Sequence, residues 1–144
     1  MKSSLLAILL IHLLSPAAAA PSLRVVEVYK SPTCGCCGKW VDHLKANGFR
    51  VVTHDTDDVM THKYRLGVPP GLGSCHTAEV GGYLVEGHVP AVEIKRLLKD
   101  RPLARGLVVP AMPMGSPGME GDRRDPYEVL LVNRDGSTHT YARY

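Results

Sequence analysis

Apolar positions in the first two thirds of the chain alternate between short β-branched runs and helical spacing. Residues 24–29 (Arg-Val-Val-Glu-Val-Tyr) end at a Ser-Pro turn, which predicts a strand. Residues 39–47 carry three apolar side chains on one helical face and precede Gly48, which predicts a short amphipathic helix. The next predicted elements are a strand at 49–54, a helix at 57–66, a hairpin of 75–80 and 83–85 around Gly81-Gly82, and a helix from Pro90 to about Asp100.

The order of these elements is strand, helix, strand, helix, hairpin, helix, and a Cys-x-x-Cys motif lies between the first strand and the first helix. This arrangement is typical of the thioredoxin fold, and its βαβ start implies parallel strands joined by a right-handed crossover. Residues 107–121 are rich in Pro, Gly and Met, which predicts a loop. Residues 128–132 and 137–143 flank Asn-Arg-Asp-Gly and predict a β-hairpin. We therefore expect an α/β protein, thioredoxin-like, with an additional C-terminal β-hairpin.

The first twenty residues have the pattern of a bacterial secretory signal. Lys2 is followed by the apolar run 5–14, a Ser-Pro break and the small residues 17–20. The run is shorter than the roughly 20 residues that span a bilayer, although an uncleaved membrane anchor is the alternative. We expect residues 1–20 to be removed, and residues 21–144 to form a single periplasmic domain without membrane contact.

Composition excludes some classes of partner. The formal net charge is +3, and removal of Lys2 with the leader takes it to +2, which is too weak for a nucleic-acid-binding surface. One Phe and one Trp also leave little aromatic surface for base stacking. Four cysteines in an exported chain permit disulfides. Nothing in the sequence requires an oligomer, so a monomer is expected.

Three of the four cysteines lie within four residues, Cys34-Gly-Cys36-Cys37. Cys34 and Cys37 have the redox spacing of thioredoxin-like proteins, and Cys36 stands where those enzymes often carry proline. The positive end of a helix dipole lowers thiol pKa values, and the thiolate is both the nucleophile and the ligand for soft metals. Three thiols at a helix start favour metal capture over disulfide exchange, which needs only two.

Ser74-Cys75 lies at the start of the predicted hairpin, close to the loop that a thioredoxin-like chain packs against its active cysteines, so we expect Cys75 to face the other three. Thiolates select copper(I), zinc or iron–sulfur clusters. Zinc usually takes two separated Cys-x-x-Cys pairs, and the adjacent Cys36 and Cys37 would strain one tetrahedron. Copper(I) tolerates low coordination and bridging thiolates. The prediction is a site for one or more copper(I) ions, with two structural disulfides as the alternative.

Methionines and histidines supply secondary candidates. Met112, Met114 and Met119 are thioether ligands suited to copper(I), or else residues that pack the loop. His76 is a candidate ligand, proton carrier or hydrogen-bonding group, and His88 is a candidate ligand, cap or support for a ligand. The other histidines show no metal spacing and are expected to be solvated or packed: His43, His54, His62 and His139.

Four segments together resemble the CopG-like family of exported bacterial metal-binding proteins, long catalogued as a domain of unknown function and often found with copper-resistance genes. They are residues 30–40, 73–78, 85–90 and 112–120. The resemblance implies a thioredoxin-like fold and a copper site of Cys34, Cys36, Cys37 and Cys75. It also implies a role in periplasmic copper handling alongside other copper-handling proteins, with interconversion of copper(I) and copper(II). On this basis a metal-binding protein is expected rather than an enzyme.

Two other functions remain open at this point. A periplasmic thiol–disulfide oxidoreductase would use Cys34 as the attacking thiolate and Cys37 as the resolving thiol. A disulfide-stapled interaction module would have no free thiols and no metal, and would lose stability on reduction.

Overall fold

The computed structural model describes residues 25–144, so the predicted leader, residues 1–20, lies outside the described residues. No helix in this part of the chain is long and apolar enough to cross a bilayer. The elements are β1 (Val25–Lys30), α1 (Gly35–Ala46), β2 (Arg50–Asp55), α2 (Val59–Leu66), β3 (Thr77–Val80), β4 (Tyr83–Glu86), α3 (Ala91–Asp100), β5 (Ala104–Val108), β6 (Glu128–Asn133) and β7 (Thr138–Arg143).

All the described strands form one mixed sheet in the order β2-β1-β3-β4-β5-β6-β7. β1 pairs with β2 in parallel and with β3 antiparallel, and β3 and β4 form the predicted antiparallel hairpin. β5 adds to β4 in parallel, and β6 and β7 follow antiparallel. The predicted α/β class is therefore confirmed.

The core follows from the periodicity of the elements. Alternate residues of β1 are buried, and Val26 and Val28 are fully enclosed. Trp40 and Leu44 of α1 and Leu97 of α3 are fully buried in the same cluster. Full burial of one large apolar side chain contributes about 1.5–3 kcal/mol, so this contact fixes both helices on the sheet.

The structure differs from the prediction in the start of one helix and in one additional strand. Helix α1 begins at Gly35, four residues before the predicted start. Its first turn was not predicted to be helical because Gly35 and Gly38 have low helix propensity, so the sequence there resembles a loop. β5 was not predicted, so three strands follow α3 instead of two. A Cβ at Gly106 would collide with the Leu84 backbone, so this strand needs a residue type that sequence patterns associate with turns.

Residues 109–127, which we call the methionine loop, connect β5 to β6 without a helix or strand, as predicted for most of this segment. Backbone bonds fold the loop on itself, from the Gly115 amide to the Met119 carbonyl (2.8 Å) and from the Asp125 amide to the Met114 carbonyl (2.9 Å). The loop therefore has a defined path, which brings it against the start of α1.

Candidate metal centre

The first turn of α1 carries the three clustered cysteines. Cys34 is the N-cap residue in an extended conformation, and its carbonyl accepts the first helical hydrogen bond from the Gly38 amide at 3.2 Å. Cys36 and Cys37 follow within the turn, which holds no acidic residue. The positive end of the helix dipole therefore faces sulfur atoms without competition from a carboxylate in that turn.

The structure brings all four predicted cysteines together. Cys34 and Cys37 form a disulfide, whereas Cys36 and Cys75 are free thiols. The Cys36 sulfur lies 3.5 Å from that of Cys34 and 3.8 Å from that of Cys75. All four sulfur atoms lie within 4.8 Å of one another. Cys37 is buried and the other three are partly exposed, so the cluster is accessible from solvent.

His88 lies beside Cys75 with its tautomer fixed. Its Nδ1 is 2.8 Å from the Pro117 carbonyl, which can only accept, so Nδ1 carries the proton. Its Nε2 lone pair then faces the Cys75 sulfur at 3.1 Å. Burial lowers the pKa of His88, while burial and the neighbouring Cys36 raise the pKa of Cys75 to about 11. Without metal, the Cys75 thiol therefore donates to a neutral His88.

His76 closes the inner side of the site. It is fully buried, and its Nδ1 lies 3.4 Å from the Cys75 sulfur. Its ring packs against Trp40 (4.3 Å between centroids) and meets the edge of His88 (5.0 Å). Burial holds the pKa of His76 well below its ordinary value, so the ring stays neutral. Both histidines singled out from the sequence thus lie within ligand distance of Cys75.

The three predicted methionine ligands lie along the methionine loop. Met112 is about half exposed (48%) and lines a surface cavity with Tyr127, and Met114 lines another with Tyr144. Met119 is partly buried, and its carbonyl closes a turn of the loop. A ligand role for these thioethers stays a prediction.

The methionine loop reaches the centre through the backbone of Pro117 and Gly118. Gly118 has φ +88°, and a Cβ there would lie 2.7 Å from the Cys36 carbonyl oxygen and 2.9 Å from the Trp40 amide nitrogen. Only glycine permits this approach, which also presents the Pro117 carbonyl to His88. Sequence reasoning missed this contact because a Pro-Gly pair predicts a turn and does not reveal what the turn touches.

Helix α1 also holds the segment that carries His88. The Trp40 indole donates to the Val89 carbonyl at 2.9 Å, and the Ala91 amide at the start of α3 donates to His43 Nε2 at 3.0 Å. Burial lowers the pKa of His43, which keeps Nε2 available as an acceptor. His43 was expected to be solvated or packed; it is partly buried, and it also caps the start of α3. The cysteine turn and His88 are thus fixed relative to each other.

The chain is similar to one described protein family and to two solved structures. Residues 72–119 match the model of a family described as "Protein of unknown function, DUF411". Two solved structures, copper resistance protein copG Form 2 and Form 1, are each 48% identical, with TM-scores of 0.80 and 0.79. The alignments cover 84% and 83% of this chain, and 98% and 96% of the solved chains. A search among curated proteins gives no match.

Proposed function

We propose a function from one premise: the chain belongs to the family of the copper resistance protein copG. This membership confirms the resemblance inferred from the cysteine and histidine motifs. We infer that the protein binds copper(I) as its cargo, through the thiolates of Cys34, Cys36, Cys37 and Cys75.

The convergence of four sulfur atoms is the observation that carries this proposal. Two sulfurs bound to one ion at roughly 2.3 Å each, the length of a zinc–thiolate bond, lie at most about 4.6 Å apart. The 3.5 and 3.8 Å separations that Cys36 makes are within that limit. Cys36 and Cys37 are adjacent in sequence, which favours copper(I) with bridging thiolates over one zinc tetrahedron. The site therefore fits one or more copper(I) ions.

The Cys34–Cys37 disulfide defines the redox chemistry that we propose. Reduction of the disulfide by two electrons and two protons yields the two thiols that complete the site. In the reverse direction, the two thiols reduce two copper(II) ions to copper(I), form the disulfide and release two protons. An external dithiol reductant then restores the thiols by disulfide exchange. This balance links copper capture to interconversion of copper(I) and copper(II).

His88 supports the proposal as an additional ligand. Its Nε2 lone pair faces Cys75, and the hydrogen bond to Pro117 fixes the ring, which is how metal-binding histidines are commonly oriented. His76 is the inner neighbour of the same sulfur. Met112, Met114 and Met119 remain proposed ligands from the methionine loop.

The fold, the cellular location and the partners of the protein are proposed on the same basis. Strands β2-β1-β3-β4, with the cysteine turn after β1, have the order and directions of a thioredoxin-like sheet, which supports that fold for residues 21–144. We propose export to the periplasm by the leader 1–20, a monomeric state, and exchange of copper with other copper-handling proteins.

A second function has one observation in its favour. The Cys34–Cys37 disulfide at the start of a helix is the arrangement of a thiol–disulfide oxidoreductase. Cys36→Ser separates the two functions, because it removes a central copper ligand and leaves the redox pair intact. If the protein handles copper, Cys36→Ser loses copper(I) affinity. An oxidoreductase would keep full disulfide-reducing activity in this variant and would show that activity in the wild type.

Metal competition tests the proposed function. The protein without residues 1–20 is reduced anaerobically, offered copper(I) and zinc together, and freed of excess metal. We expect at least one copper per chain and little zinc. Retention of zinc alone, or of no metal with rapid return to the disulfide form, would contradict the proposal.

A further inference from the structure

We propose that Glu86 is a positioning residue of the metal centre: its carboxylate, paired with Lys63, holds the Ser74 amide and thereby sets Cys75 opposite helix α1. This inference rests on the proposed function and gives Glu86 and Lys63 a role beyond that of the proposed metal ligands.

The carboxylate of Glu86 lies in the protein interior. Glu86 ends β4 and is fully buried, and Lys63, on α2, is only 6% exposed. One carboxylate oxygen, Oε1, lies 2.6 Å from the Ser74 amide nitrogen and 2.5 Å from Lys63 Nζ. Charges at this depth pay a large desolvation cost, so an apolar pair of similar volume would often be as stable. We infer that the pair determines geometry rather than stability.

The hydrogen bond from the Ser74 amide bears directly on the cysteine site. Ser74 precedes Cys75, at the end of a segment between α2 and β3 that contains neither helix nor strand. On its other side, the Ser74 hydroxyl donates to the Ala111 carbonyl at 2.5 Å. Cys75 is thus held from β4 through Glu86 and from the methionine loop through Ala111.

The same strand end also positions His88. Gly87 has φ +72°, and a Cβ there would lie 2.6 Å from the Ser74 Cβ and 2.5 Å from the Val109 carbonyl oxygen. Glu86 and Gly87 therefore both lie against Ser74. A displacement of Glu86 would change the distance between Cys75 and His88, which is 3.1 Å from sulfur to Nε2.

The second carboxylate oxygen, Oε2, is buried without a hydrogen-bond partner among the described residues. Both side-chain contacts of Glu86 thus converge on Oε1. In a glutamine at this position, the amide oxygen could accept the hydrogen bond from the Ser74 amide without carrying a charge. This allows the acceptor and the charge to be tested separately.

Two double variants differ mainly in that acceptor. Lys63→Met/Glu86→Gln removes both charges and keeps an acceptor for the Ser74 amide, whereas Lys63→Met/Glu86→Leu removes the acceptor too. Copper(I) affinity is measured by competition with a chromophoric copper(I) chelator. We expect the Leu variant to lose roughly ten- to a hundredfold in affinity, the usual effect of removing a group that orients a ligand, and the Gln variant to stay close to wild type.

Alkylation of the reduced, metal-free protein provides a second readout. With the acceptor removed, we expect Cys75 to react faster relative to Cys36, because its side chain is no longer held in place. Glu93→Gln is the control: Glu93 is also a buried glutamate (8% exposed), but it pairs with Arg96 and Tyr144 away from the site. It should change neither the affinity nor the ratio of alkylation rates.

Equal copper affinity in the Leu and Gln variants would overturn the inference, whether both match wild type or both are weakened. If the Leu variant does not fold, hydrogen exchange of the wild type decides: a protected Ser74 amide supports the inference, and rapid exchange overturns it. If the wild type holds no copper(I), the proposed function fails, while the alkylation ratio still tests the placement of Cys75.

Discussion

Gly118→Ala is the change for which the structure gives the clearest magnitude. At φ +88° a residue with a Cβ costs about 1–2 kcal/mol of backbone energy. The added Cβ would also lie 2.7 Å from the Cys36 carbonyl oxygen and 2.9 Å from the Trp40 amide, so the backbone must shift. Overpacking of this kind costs about 1–3 kcal/mol more. We expect a total loss of about 2–5 kcal/mol in the free energy of unfolding.

Gly136→Ala is a matched control for this prediction. Gly136 has nearly the same φ, +89°, and lies in the turn between β6 and β7, with nothing within 4 Å of an added Cβ. It should lose only the backbone energy, about 1–2 kcal/mol.

The assay is thermal unfolding of the reduced, metal-free proteins followed by circular dichroism. At roughly 4 °C per kcal/mol for a domain of this size, Gly118→Ala should lower Tm by about 8–20 °C and Gly136→Ala by about 4–8 °C. Gly118→Ala should also weaken copper(I) binding, because it displaces the Pro117 carbonyl from His88. Equal losses of stability in the two variants would refute the close contact between the methionine loop and helix α1.

Three further predictions concern the site and its supports. Cys36→Ser should abolish tight copper(I) binding in a chelator competition while the remaining Cys-x-x-Cys pair still forms its disulfide; unchanged binding would show that the central sulfur is not a ligand. His88→Ala should lower copper(I) affinity at least roughly tenfold, a loss of about 1.4 kcal/mol, with the number of free thiols unchanged, and an unaltered affinity would remove His88 from the ligand set. Burial lowers the pKa of His43 in the folded state. Below pH about 6.5, His43 therefore becomes protonated more readily in the unfolded state than in the folded state, so the free energy of unfolding falls as the pH drops through that value. In urea unfolding from pH 7.5 to 5, His43→Gln should lose less stability than wild type, since the amide stays a neutral acceptor for the Ala91 amide; an identical pH dependence would contradict this assignment.

Much of the element order follows from local patterns. The Val-rich run of β1, the helical spacing of α3 and the Gly81-Gly82 turn between β3 and β4 each combine a clear hydrophobic period with a clear stop signal. β5 has neither, because Gly106 interrupts it and its pairing with β4 depends on residues distant in sequence. β5 was therefore not predicted, because local sequence patterns do not show which distant strand a segment pairs with.

In the candidate site, too, some features could be predicted from the sequence and others could not. The spacing of Cys34, Cys36 and Cys37 predicted a cluster, and the fold-based inference placed Cys75 beside it, as the structure does. The orientation of His88 depends on a carbonyl 29 residues away, which no spacing rule could supply. Sequence thus identified the groups that we propose as metal ligands, and the structure added the groups that orient them.

Residue-resolved alkylation of the reduced protein, with and without copper(I), tests the central claim most directly. Each cysteine is labelled under anaerobic conditions, and its extent of labelling is read by mass spectrometry of peptides. The copper-thiolate account predicts that one or more copper(I) ions per chain protect Cys34, Cys36, Cys37 and Cys75 together. Labelling of Cys36 or Cys75 at the metal-free rate in the copper-loaded protein would contradict it.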